Sequence, residues 1–166
     1  MRLFLGSFAA VPDAAKIVEH FSPYFDMRPT PPRNFHLTWY FLGEHPSPAP
    51  FIDRLRELDM IPRLPLPLHT VDLFDRDNPR ILHVAPTETI PKILHEKIAI
   101  LLGLKPDERF RPHVTLARID KIKADGWREA LADLKGLELG QIESTIYLIE
   151  SRLTPDGPVY LPIEAF

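Results

Sequence analysis

The chain of 166 residues contains no cysteine. That excludes a disulfide scaffold, a thiol nucleophile and any thiolate-ligated metal site, and it fits a reducing cytoplasm, where we expect the protein to reside. An excess of positive charge is also missing: 20 Lys and Arg stand against 23 Asp and Glu, a formal net charge of −3. No global basic field exists to recruit a polyanion, so any phosphate binding must be local. No apolar run reaches membrane-spanning length, and no hydrophobic stretch follows a basic start at the N-terminus, so neither a spanning helix nor a secretory leader is expected. His-Glu-x-x-His, a Walker-type phosphate loop and a Gly-x-Ser-x-Gly elbow are absent, and no Asp or Glu near the motifs described below has metal-ligand spacing.

Proline, by contrast, is abundant. Its 19 copies cluster between the periodic segments, as at Pro29 to Pro32 and Pro62 to Pro67, and read as stiff loops rather than as a linker. A hydrophobic content of 45% is enough for a real core, in one compact domain or two small lobes.

The periodicity predicts a strand over Arg2–Phe8, a helix over Pro12–Phe25 and a strand over His36–Leu42. A short helix follows over Phe51–Leu58. A strand pair is expected over Leu64–Leu73 and Arg80–Pro86, joined by a turn-rich connection. Thr89–Leu102 reads as the best helix, stopped by Gly103. Beyond it come a strand over His113–Ala117, a helix over Trp127–Leu134 and strands over Leu139–Glu150 and Val159–Glu164. Helix and strand runs alternate irregularly, and strand pairs are adjacent in sequence. That pattern argues for an α+β fold with antiparallel sheets.

Two of these strand segments repeat one idea. Phe35-His36-Leu37-Thr38-Trp39-Tyr40-Phe41 and Arg111-Pro112-His113-Val114-Thr115-Leu116-Ala117-Arg118 each set His-x-Thr inside a hydrophobic, β-prone run. Residues i and i+2 of a strand share a face, so each segment presents an imidazole and a hydroxyl about 6–7 Å apart. One such copy would read as a half-buried strand histidine. The matched pair instead offers a general base and a general acid, each with a hydroxyl donor beside it, for one phosphate ester. The remaining histidines, His20, His45, His69, His83 and His95, read as structural or surface residues; His83 in particular lacks the x-Thr partner.

The stretches Asn34–Glu44 and Phe110–Arg118 resemble the two signature motifs of the 2H phosphoesterases, and within them the bacterial and archaeal RNA 2′,3′-cyclic phosphodiesterases, also called 2′-5′ RNA ligases. Arg2-Leu3-Phe4-Leu5-Gly6 and the segment from Ser151 to Tyr160 agree with this in order. The resemblance implies two similar lobes of antiparallel sheet with outer helices, the motif strands lining a central cleft, within a single domain over residues 1–166. It implies metal-independent opening of RNA 2′,3′-cyclic phosphate ends to 2′-phosphomonoesters, with no cofactor and no metal, by a monomer that has no membrane partner. His36 is then the proton donor and His113 the proton acceptor, while Thr38 and Thr115 donate to the phosphate. Spacing by itself leaves the roles of the two histidines open.

Arg118 matches an arginine that the family uses against the phosphate. Strict alternation sets it opposite His113, so it reaches the site only if the strand ends or bulges near Ala117. Phe41 matches a family aromatic that packs near the base, yet its parity sets it against His36; Tyr40 has the parity to line the cleft. Arg33, Arg109 and Arg111 flank the motifs as candidate guides for an RNA strand. Two other readings keep the same cleft. One is an enzyme acting on a small cyclic nucleotide, or joining RNA through a 2′-5′ bond; the other is a nucleotide- or RNA-binding module without turnover.

Overall fold

The computed structural model describes residues 1–166. Its elements are β1 (Arg2–Ala10), α1 (Ala14–Phe21), β2 (Phe25–Pro29), β3 (His36–Glu44), α2 (Ala49–Leu55), β4 (Leu66–Pro67), β5 (Thr70–Phe74), β6 (Ile81–Ala85), α3 (Thr89–Leu102), β7 (Val114–Ile122), α4 (Trp127–Ala132), β8 (Gln141–Ile142), β9 (Tyr147–Thr154) and β10 (Gly157–Ala165), in that order.

The strands form two antiparallel sheets. In the first, β1 lies between β3 and β9, β9 carries β10 on its far side, and the end of β1 continues through β8 to β4. The second runs β2-β7-β6-β5. Helices α2 and α3 pack together beside β3, whereas α1 and α4 pack together beside β7. This is the expected α+β architecture of two sheets, each with its own pair of helices. The two motif strands approach one another between the sheets. No helix is long and apolar enough to cross a membrane.

Helix α3 matches its predicted span. Leu94, Ile98 and Leu102 recur every fourth residue and are buried as one stripe, and Gly103 ends the helix at φ +70°, a left-handed value that glycine adopts without strain. Other boundaries differ from the periodicity. Helix α1 stops at Phe21, and Phe25 opens β2 instead, with its ring stacked on Phe21 in the core. The expected Leu64–Leu73 strand divides: Leu66–Pro67 joins the first sheet through β8, while Thr70–Phe74 crosses to the second. Leu139–Glu150 likewise splits into β8 and the start of β9. Strand β7 does not end at Ala117 but continues to Ile122, because β2 pairs along its second half.

Most of the buried apolar side chains form one contiguous cluster, from Leu3 and Leu5 in the first sheet to Val114 and Leu116 in the second. Close packing at Gly140 brings the start of β8 against the end of β1. At φ +83° its absent Cβ would sit 1.8 Å from the carbonyl oxygen of Ala10, so no larger residue fits there.

Candidate active site

Strand β3 is pinned before it reaches the cleft. The Trp39 indole N–H donates to Ser7 Oγ at 2.8 Å, and Ser7 Oγ donates to the Thr145 carbonyl at 2.6 Å. Trp39 and Leu37 are buried on one face, which turns His36 and Thr38 to the other. Opposite Thr38 lies Gly6, where a Cβ would come within 2.9 Å of the Phe4 ring and 3.1 Å of the Leu37 carbonyl oxygen. In β7, Val114 and Leu116 are buried, so Thr115 takes the exposed side together with His113, which immediately precedes the strand.

Each imidazole is oriented by its own chain. His36 Nδ1–H donates to the Asn34 carbonyl at 2.7 Å, and His113 Nδ1–H donates to the Arg111 carbonyl at 2.8 Å. A carbonyl only accepts, so the proton sits on Nδ1 in both neutral rings. Nε2 is left free on each: a lone pair when the ring is neutral, a donor when it is charged. Asn34 is itself buried and tied through its amide to the Pro158 carbonyl at 3.0 Å, which anchors the first motif to β10. Both imidazole pKa values lie below the usual histidine value, chiefly because burial penalises the charged form. His113 is lowered further by the Arg118 charge, and His36 by His113.

A bulge decides the position of Arg118. The β6–β7 register moves from His83–Thr115 to Leu82–Ala117, leaving Leu116 as an extra residue. Beyond it the alternation inverts, and Arg118 lies exposed on the face of His113 and Thr115. The condition set by strict alternation is thus met. Arg118→Ala is expected to raise KM for a nucleoside cyclic phosphate about tenfold, as loss of a charge-assisted hydrogen bond would. An unchanged KM would place the guanidinium outside the phosphate site.

A second bulge reverses the parity read for Tyr40 and Phe41. The β1–β3 register passes from Gly6–Thr38 to Leu5–Tyr40, with Trp39 as the extra residue. Phe41 therefore returns to the His36 face and lies 6.1 Å, ring to ring, from Phe4, with two-thirds of its surface exposed. Tyr40 turns instead toward α3. Its ring stacks on His95 at 5.4 Å and its hydroxyl donates to the Lys105 carbonyl at 2.8 Å. Both residues border a cavity of about 650 Å³ that extends from Thr38 and His113 to the loop before β7.

Two neighbours of the histidines lie outside the His-x-Thr motifs. Tyr160 of β10 meets His36 edge-on at 4.8 Å and Phe4 at 5.3 Å; burial raises its phenol pKa, opposed by the Arg118 and Arg2 charges. His83, expected to be structural, stands in register with Thr115 on β7 and Asp72 on β5. Its ring stacks on Phe74 at 4.0 Å and lies 5.5 Å from His113, and its Nδ1 is buried without a partner. Burial, with smaller effects of His113 and Arg111 against that of Asp72, pushes its pKa down to about 4. His95 is buried with both nitrogens engaged: Nδ1–H donates to the Trp39 carbonyl, and Nε2 accepts from the Asp107 N–H.

A protein of Aquifex aeolicus named RNA 2′,3′-cyclic phosphodiesterase is 32% identical over 148 residues, covering 81% of this chain and 78% of that one. The chain belongs to the 2H phosphoesterases. Consistent with that membership, the family model described as LigT like phosphoesterase matches residues 92–160. A Thermus thermophilus protein with the same phosphodiesterase name is 31% identical across all of this chain and 89% of its own length. Among solved structures, one of a Thermus thermophilus protein superposes with a TM-score of 0.69 at 25% identity, covering 100% of this chain and 97% of that chain. E. coli LigT complexed with 3′-AMP superposes with a TM-score of 0.65 at 20% identity, covering 99% and 96%, a likeness of fold. The 2H phosphoesterase fold is therefore the one in which this chain presents its two His-x-Thr segments.

Proposed function

We infer that this 2H phosphoesterase opens 2′,3′-cyclic phosphate ends of RNA to 2′-phosphomonoesters without a metal. One observation carries the reading: two imidazoles from different sheets, each with Nδ1 fixed on a carbonyl and Nε2 free, beside a threonine hydroxyl. The names of the relatives supply the substrate class.

In the proposed step, neutral His113 takes a proton from water through Nε2 as the water oxygen bonds to phosphorus. Charged His36 gives its Nε2 proton to the departing 3′-oxygen as the P–O3′ bond breaks. Imidazoles arriving from two sheets suit an in-line displacement, in which attacking and leaving oxygens stand on opposite sides of phosphorus. Thr38, Thr115 and Arg118 are the donors to the non-bridging oxygens. The assignment of His113 as acceptor and His36 as donor is the one the motif resemblance implies. The Arg118 charge favours the neutral His113 it requires, and a bound phosphate anion offsets the burial and the His113 charge that disfavour a charged His36. Phe41 offers its exposed ring to the terminal base.

The test is an oligonucleotide with a 2′,3′-cyclic end incubated with protein and excess chelator. Turnover to a 2′-phosphate, undiminished by EDTA, is expected. A 3′-phosphate product, loss of turnover with chelator, or binding without turnover would each overturn the reading.

The pH dependence follows from the same pair. Each imidazole disfavours charge on the other, so one proton is shared by the pair over a window and the rate profile is bell-shaped. Burial lowers both pKa values in the free enzyme, whereas a bound phosphate anion raises them. The limbs of the kcat profile are therefore expected at higher pH than those of kcat/KM. Profiles flat from pH 5 to 8.5 would exclude a two-histidine mechanism.

A further inference from the structure

Eight of the thirteen arginines hold a carboxylate or a backbone carbonyl through their guanidinium. The five without such a partner are Arg2, Arg33, Arg109, Arg111 and Arg118, and all five lie at or beside the cleft. Arg118 and Arg2 act on Tyr160, next to His36; Arg33 precedes the first motif; Arg109 and Arg111 line the cavity. In a chain of net charge −3, free guanidinium groups are thus concentrated where an anion would bind.

Arg109 and Arg111 share their wall of the cavity with Lys105, which also lacks a carboxylate partner. The loop that carries them is held firmly. His95 spans from the Trp39 carbonyl to the Asp107 N–H at 2.7 and 2.8 Å, the Tyr40 hydroxyl holds the Lys105 carbonyl, and Phe110 stacks on His95 at 4.1 Å with the two rings nearly parallel. Asp107 is the one carboxylate on this wall, and it accepts the Arg109 N–H at 2.9 Å. Three cations against one carboxylate, on a loop fixed by a fully engaged buried histidine, need no rearrangement to receive an anion.

We propose that the Lys105–Arg111 wall is a second phosphate subsite, which binds the phosphodiester on the 5′ side of the terminal nucleoside and makes the enzyme prefer oligonucleotides to mononucleotides. The proposal rests on the cyclic-phosphodiesterase reading. With the reacting phosphate at Thr38 and His113 and the terminal nucleoside lying along the cavity past Phe41, the next phosphate reaches the far wall.

The experiment compares adenosine 2′,3′-cyclic phosphate with the dinucleotide ending in the same cyclic phosphate. Alongside turnover, calorimetry measures binding of the corresponding 2′-phosphate products. The dinucleotide is expected to show KM and product Kd about tenfold lower, as one charge-assisted contact provides, and a log–log salt slope steeper by about 0.7. A neutral methylphosphonate internal linkage should abolish this advantage, and the Lys105→Gln/Arg109→Gln double variant should reduce the ratio toward one. Equal values for the two lengths, or an advantage that survives the neutral linkage, would overturn the subsite while leaving the phosphodiesterase reading intact. A dinucleotide binding advantage without turnover on either substrate would keep the subsite and reject that reading.

Discussion

Replacing either His36 or His113 with alanine is expected to lower kcat by about 10²–10⁴, the usual contribution of one positioned acid or base. The fold should be retained, because each ring is half-buried and its one protein hydrogen bond is to a carbonyl two residues away. Losing such a bond costs about 1 kcal/mol. Asparagine sharpens the test, since its amide can still donate to the carbonyl that Nδ1 held while nothing replaces Nε2. His36→Asn and His113→Asn should therefore be as inactive as the alanine variants. Single variants with near-full turnover and an unaltered circular dichroism spectrum would remove the residue from the mechanism.

The second large effect is on stability and involves His83. Its pKa is about 4 in the folded chain against 6.5 when unperturbed. Between these values the unfolded chain binds the extra proton, so stability falls as pH falls. The contribution of the neutral ring is complete above pH 6.5. About 2 kcal/mol is lost by pH 5, and the loss approaches about 3 kcal/mol below pH 4. His36 and His113 are displaced in the same direction and add to the effect. Urea unfolding at pH 7.5 and pH 5 measures the difference, and His83→Phe, which keeps an aromatic face against Phe74, should remove most of the His83 share. A variant as acid-sensitive as the parent would show that the buried ring is not the cause.

His-x-Thr spacing made the two motif pairs legible because a strand's period of two is a local property. Helix α3 was equally legible, since its stripe and its glycine stop lie within one segment. The faces of Tyr40, Phe41 and Arg118 were not, because each depends on a bulge that partner strands impose. Trp39 and Leu116 look like ordinary strand residues until their registers with β1 and β6 are known. The places of His83 and Tyr160 beside the catalytic candidates were not legible for a related reason. Their proximity to His113 and His36 comes from β6 and β10 pairing in particular registers, which no short pattern encodes. The division of Leu64–Leu73 between two sheets is also a tertiary choice: both parts have strand character, and only their partners differ.

The route of the chain has a consequence for how the cleft behaves. After β1 the chain leaves for α1, beside the other sheet; β3 brings it back, β5 and β6 take it across again, α3 returns beside β3, and β7 departs once more before β8 to β10 close the path. No single cut separates one sheet and its helices from the other. The two walls are laced together like the sides of a boot, by several crossings of the chain and not by one linker. Widening the cleft would therefore have to bend several crossings at once, and on the proposed reading the substrate's single-stranded end is the more pliable partner in each turnover.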